Sequence, residues 1–114
     1  MKERILVMNG QRLVQSEKNG EWGTVHVGKA GGLMPAIYNI HLATPADKSK
    51  SHDGVIVHVD KQAVYQQVGK AFVKHDLASF DKSPEIGHNL SIKYEGDKAK
   101  ATPSSIKLGR RLSQ

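Results

Sequence analysis

The chain has 114 residues and no cysteine, and its 17 basic against 11 acidic side chains give a net charge of +6. This length suits a single domain with one core. The lack of cysteine excludes disulfides, a thiol nucleophile and a thiolate metal site. The N-terminus has no apolar run typical of a signal peptide, and no later stretch could span a membrane. We therefore expect a cytoplasmic protein with no membrane contact.

The first third of the chain predicts short strands joined by tight turns. Asn-Gly, a strong signal for a two-residue β-hairpin turn, occurs at Asn9-Gly10 and again at Asn19-Gly20. Apolar residues alternate with polar ones on both sides of these turns. The pattern therefore predicts an antiparallel meander of three strands.

A fourth strand is predicted over residues 37–42, with Tyr38, Ile40 and Leu42 as its buried side chains. The stretch that follows, 44–51, is polar and rich in turn-forming residues. It is typical of an exposed connection.

Residues 52–76 predict the unit around which the fold is arranged. Alternation over 54–60 indicates a half-buried strand. Residues 61–68 then change to helical spacing, which predicts one short helix. Gly69 would end it, because glycine enters the left-handed region without steric cost. Residues 71–75 predict another strand.

The remaining residues predict a final hairpin of strands at 90–94 and 98–102, with apolar side chains on one face and lysines on the other. From these elements we expect a mainly β fold, a small antiparallel barrel or sandwich of short strands with one short helix. The domain would span residues 1–102. The basic tail, 103–114, is expected to be partly disordered.

Histidine and aspartate cluster around the central unit, at His52, His58, Asp60, His75 and Asp76. Imidazole and carboxylate ligands suit zinc or another divalent ion. The spacing matches no metal-binding motif, however, and histidines at alternating strand positions are usually a polar outward face. We therefore predict no metal site.

Catalytic signatures are also missing from the sequence. There is no G-x-S-x-G elbow, and the glycine-rich stretch 28–32 lacks the spacing of a phosphate-binding loop. We expect neither an enzyme nor a cofactor.

Basic side chains are concentrated toward the C-terminal end. A β-ribbon with aligned lysines can follow a phosphate backbone, although lysines on an outer strand are also ordinary protection against edge-to-edge aggregation. The candidate nucleic-acid-binding side chains are Lys93, Lys98, Lys100, Lys107, Arg110 and Arg111.

The central unit and the last hairpin resemble a known family. The strand at 54–60 ends in Val-Asp, the motif VYQ-x-x-G follows at 64–69, the next strand ends in His75-Asp76, and P-x-x-G at 84–87 leads into the final hairpin. This series of motifs is similar to the KfrB domain of IncP-type plasmid survival proteins. The resemblance is best over 52–101.

The resemblance implies a non-enzymatic accessory protein of a plasmid or mobile element that acts in stable inheritance through protein–protein interaction. Its partner would be encoded by the same element, such as a KfrA-like regulator. The candidate partner-binding residues are Tyr65, Gln66, His75 and Asp76, of which the last three would face a groove that receives a peptide or strand. Each also has a purely structural interpretation, such as a core anchor for the tyrosine and a turn residue for the aspartate. The alternative function is a DNA-contacting accessory factor that uses the basic side chains, with non-specific DNA as its ligand.

Overall fold

The computed structural model describes residues 2–31 and 33–103. These residues form two β-sheets. The first has the strand order β3-β2-β1-β4, and the second has the order β10-β9-β6-β7-β8-β5. The strands are β1 (Glu3–Met8), β2 (Gln11–Lys18), β3 (Glu21–Lys29), β4 (Ala36–Tyr38), β5 (Thr44–Pro45), β6 (His52–Val59), β7 (Ala63–Val68), β8 (Ala71–Asp76), β9 (Asn89–Glu95) and β10 (Lys98–Pro103). Single 3₁₀ turns lie at Ile40–Leu42 and Leu77–Ser79.

The two Asn-Gly hairpins are confirmed. Asn9 and Gly10 have φ angles of 54° and 75°, and Asn19 and Gly20 have 54° and 81°. Positive φ at both turn positions matches the right-handed twist of the flanking strands. As predicted, β1, β2 and β3 form an antiparallel meander.

The helix predicted over residues 61–68 is wrong, because this stretch contains strand β7. The carboxylate Oδ1 of Asp60 accepts hydrogen bonds from the backbone N–H groups of Gln62 and Ala63, at 2.8 and 2.7 Å. This Asx-type turn reverses the chain after β6. β7 then pairs with both β6 and β8, and Gly69 lies in the β7–β8 turn with φ 62°.

The strand predicted over residues 37–42 is correct only for its first two residues. β4 ends at Tyr38, and a 3₁₀ turn follows. Tyr38 and Ile40 are buried, whereas Leu42 is 63% exposed. The predicted connection 44–51 begins with β5, which pairs in parallel with β8, so the second sheet is not purely antiparallel.

Strand β6 contributes to two separate cores. Consecutive residues of a strand face opposite sides of the sheet, so Ile56 and Val57 enter different clusters. A register shift between Ile56 and His58 marks a bulge at Val57. Ile56 packs in one apolar cluster with Val64 and Ile92. Val57 packs in the other cluster, between the sheets. The fold is therefore a mainly β, sandwich-like arrangement, as expected, and not a closed barrel.

Candidate functional site

A buried polar network lies in the second sheet. Gln66 on β7 has no exposed surface. Its Nε2 donates to the backbone carbonyl oxygens of His52, Gly54 and Leu90, at 3.1, 3.1 and 2.9 Å. These carbonyl groups belong to β6 and β9. One amide side chain therefore links β7 to its neighbour β6 and to β9, the strand beyond β6.

The same amide fixes the tautomer of His75. Oε1 of Gln66 can only accept, and it lies 2.9 Å from His75 Nε2, so Nε2 carries the proton. Nδ1 then accepts from the hydroxyl of Tyr94, at 2.6 Å. Burial and the neighbouring His52 lower the pKa of His75 to about 4. The imidazole is therefore neutral at physiological pH and is bonded at both nitrogens.

The expectation that the histidines form a polar outward face is wrong for His52, His58 and His75, which are all buried. The rings of His52 and His75 do come together, with centroids 5.3 Å apart. However, Nε2 of His52 is bonded to the carbonyl oxygen of Asp47, at 2.9 Å. Because ring nitrogens of both residues are used in these hydrogen bonds, His52 and His75 contribute to the packing of the sheet.

Two of the four predicted partner-binding residues line the same pocket. A pocket of about 230 Å³ is lined by His75 and Asp76 together with Pro45, Ala46, Lys48, Lys74 and Tyr94. Gln66 does not line it. Tyr65 packs against His58 instead, with tilted rings and a centroid distance of 5.9 Å. Binding of a partner by these residues stays a prediction.

The lysines of the last hairpin share one face. Lys93 and Lys100 are direct cross-strand partners, and Lys98 lies two residues from Lys100 on β10. Glu95 partly offsets this charge, with its carboxylate oxygen 2.7 Å from Lys100 Nζ. The other three predicted basic residues, Lys107, Arg110 and Arg111, lie outside the described residues.

Sequence reasoning missed Arg12, which is only 9% exposed. Its Nη1 donates to Nδ1 of His58, at 3.2 Å, so the proton of the neutral imidazole is on Nε2. A ring nitrogen of His58 and carboxylate oxygens of Glu3 and Asp60 lie within 4.8 Å of one another. The arginine on Nδ1 and the proton on Nε2 leave this imidazole without a lone pair for a metal. Arg12 lies two residues before Val14, on the same face of β2. This spacing was the sequence signal that could have predicted its burial.

An apolar row crosses the exposed side of the first sheet. Ile37, Leu6, Leu13 and Val27 are direct cross-strand partners, one on each strand in sheet order. The residues on the other side of these strands, such as Ile5, form the core. Ile37 and Val27 are each 52% exposed, and Leu6 and Leu13 are half-buried. The row therefore belongs to the surface.

An aromatic cluster lies beside this row. The guanidinium carbon of Arg4 is 4.2 Å from the ring centroid of Trp22, and the ring of His41 is 5.8 Å from it. We call the combined surface the outer face, which consists of Arg4, Leu6, Leu13, Trp22, Val27 and Ile37.

Among residues 2–31 and 33–103, no helix has the length and apolarity needed to cross a membrane.

These features define a small β-protein of two sheets. Its buried histidines are hydrogen-bonded to other groups of the chain, and its first sheet has an exposed apolar row. Comparison with known proteins gives its family. A model of the KfrB domain matches residues 51–103, which contain β6 to β10. Protein TraB of Escherichia coli is 37% identical to the chain over 100 residues, which represent 85% of the chain and 68% of TraB. The chain belongs to the KfrB-domain family, as the resemblance predicted, and is a plasmid-associated protein.

Proposed function

We propose that this chain is a non-enzymatic accessory protein that acts in stable inheritance of a plasmid or mobile element by binding a protein encoded on the same element. Family membership supports the plasmid association. The observation that carries the interaction is the outer face. A KfrA-like regulator is the kind of partner that the family resemblance favours.

The outer face has the composition of a binding surface. Its apolar row is not needed to complete the core, which is filled from the opposite side of the sheet. Leaving such side chains in water costs about 25 cal/mol per Å² of apolar area. Trp and Arg are enriched among the residues that carry most binding energy, and here Trp22 and Arg4 lie together beside the row.

The free strand edges fit a partner less well. β3 has a register shift opposite Val14 and Gln15, and β4 and β5 have only three and two residues. β10 presents outward lysines and ends in Pro103. Bulges, short strands, lysine and proline are the usual protection against strand addition. We therefore assign the main contact to the outer face, and a secondary contact to the pocket beside Asp76, to which buried His75 contributes no exposed surface.

Plasmid retention in cells tests this function. The double variant Val27→Lys/Ile37→Lys places two charges in the apolar row. We expect its plasmid to be lost as fast as when the gene is deleted, in growth without selection. The control Ala78→Lys/Ser83→Lys adds the same charge at two exposed positions outside the outer face. It should retain the plasmid like the wild type.

Thermal unfolding separates lost binding from lost folding in these variants. The proposal requires the row variant to keep a melting temperature close to that of the control. A folded row variant with wild-type retention would contradict it. Sedimentation of the purified wild type at increasing concentration would show whether a second copy occupies the outer face instead.

A second candidate function is non-specific DNA contact, and the lysine face of the last hairpin favours it. Binding through several phosphates weakens steeply as salt rises. The test is titration of a mixed-sequence duplex at low and physiological salt with the full chain, the variant Lys93→Gln/Lys98→Gln/Lys100→Gln and a truncation after Pro103. No binding by the full chain at low salt would exclude this function.

A further inference from the structure

Arg12 is a buried cation without an acidic partner. It lies on the side of β2 that faces the second sheet, and its side chain is 9% exposed. None of the ion pairs among the described residues includes it. Its hydrogen bond to His58 uses Nη1, and no described group accepts a hydrogen bond from its buried Nε. Charged side chains are rarely buried to this extent unless they are paired.

Two of the unused donors of Arg12 lie together on one edge of the guanidinium. Nη1 points to the imidazole, and the opposite edge carries the Nε–H group and one N–H of Nη2. These two N–H groups are parallel and match two oxygens of a carboxylate or phosphate. An arginine cannot discharge itself by losing its proton under ordinary conditions. An anion is therefore the natural means of compensating its charge.

Glycine leaves space beside Nη2, at one end of this edge. Gly28 on β3 is the cross-strand partner of Arg12. A Cβ atom at Gly28 would lie 3.8 Å from Nη2 of Arg12 and 3.8 Å from Nε2 of His26. His26 is exposed and has no hydrogen bond to another described residue. Two nitrogen donors thus border one small space, which solvent reaches along the His26 side.

We propose that this space is an oxyanion site, in which Arg12 and His26 bind a carboxylate or phosphate group above Gly28. Arg12 donates from its free edge, and His26 donates from Nε2. The absence of a side chain at Gly28 admits the anion. The site lies on the opposite side of the first sheet from the outer face, so it does not depend on the proposed function.

The test uses phosphate and acetate as probes on the full chain, at constant ionic strength adjusted with chloride. The side-chain Nε–H resonance of Arg12 is followed by NMR during each titration. We expect a saturable shift of this resonance and a melting temperature that rises with the anion. A response to acetate but not phosphate would identify a carboxylate site, and the reverse would identify a phosphate site.

Two variants determine whether the response comes from this site. Gly28→Val fills the space and keeps Arg12, and we expect it to weaken anion binding at least tenfold. Gly23→Val on the same strand, where an added Cβ has no neighbour within 4 Å, should bind like the wild type. An unshifted Arg12 resonance with both anions, or equal affinity in Gly28→Val and wild type, would overturn the proposal.

Discussion

Gln66 Oε1 lies 2.9 Å from His75 Nε2, and this contact joins two side chains that have no exposed surface. Because the amide also donates to carbonyl groups of β6 and β9, the histidine of β8 is tied to three other strands. The network thus holds the register of the KfrB-matched sheet. The donors and acceptors of the network form hydrogen bonds with one another, and polar side chains can therefore fill part of this core.

Replacing Gln66 with leucine should destabilise the fold strongly. Leucine has similar size, but the Nε2–H of His75 would lose its acceptor in a buried position. Leaving a buried donor unsatisfied costs about 1–3 kcal/mol, in addition to the lost hydrogen bonds. We expect the free energy of unfolding in urea to fall by about 2–4 kcal/mol. The matched control is Gln67→Leu, a half-buried neighbour, and an equal loss in both variants would contradict the network.

Combining Gln66→Leu with His75→Phe should recover part of this stability. The double variant removes the unsatisfied donor together with its lost acceptor, and such coupled positions are not additive. We expect the double variant to be at least about 1 kcal/mol more stable than the sum of the single changes predicts. Urea unfolding of the four proteins measures this coupling. Strict additivity would mean that the two side chains act independently.

Stability should decrease as the solution becomes acidic. The pKa of His75 is lowered from 6.5 to about 4 in the folded chain, so the unfolded chain binds a proton first. The stabilisation from the neutral imidazole is complete above pH 6.5 and declines as the pH falls to about 4. At about 1.4 kcal/mol per pKa unit, the decline amounts to about 3 kcal/mol.

Unfolding free energies measured between pH 7 and pH 4 test this dependence. His58, whose pKa is lowered mainly by burial and also by Arg12, contributes in the same direction. The variant Gln66→Leu/His75→Phe lacks the His75 contribution and should show a smaller slope. Equal slopes in this variant and the wild type would show that His75 is not the responsible group.

Gly54 should tolerate no side chain. A Cβ atom at this position would overlap the backbone carbonyl oxygen of Gln67 on the adjacent strand. Backbone atoms of two paired strands cannot move apart without breaking the ladder, so we expect Gly54→Ala to cost more than about 3 kcal/mol. Gly23→Ala, whose added Cβ meets nothing within 4 Å, is the control. Comparable urea midpoints for the two variants would contradict this close approach.

Local patterns predicted the elements whose structure depends on local chemistry. Both Asn-Gly hairpins were predictable because the dipeptide itself adopts positive φ. The final hairpin was predictable because Leu90, Ile92 and Tyr94 alternate with polar residues, and all three pack in the second core.

Features that depend on distant contacts were not predictable in this way. Alternation places His58 on a polar face, but the bulge at Val57 turns it toward Arg12, which is 46 residues away in the sequence. Gln66 is polar, and its burial follows only from carbonyl groups on β6 and β9. The outer face likewise requires the register of four strands, which no single segment contains, and the proposed anion site requires the pairing of β2 with β3.

The mistaken helix leads to a last prediction, which concerns Asp60 and the turn that precedes β7. Asp60→Ala removes the acceptor of two backbone N–H groups at the start of β7. Loss of a comparable side-chain cap costs about 0.5–2 kcal/mol, and we expect a decrease of that size in urea unfolding. Asp60→Asn keeps a side-chain oxygen at the same position and should lose less than half as much. If asparagine were as damaging as alanine, the negative charge beside His58, and not the turn, would be the source of the stability.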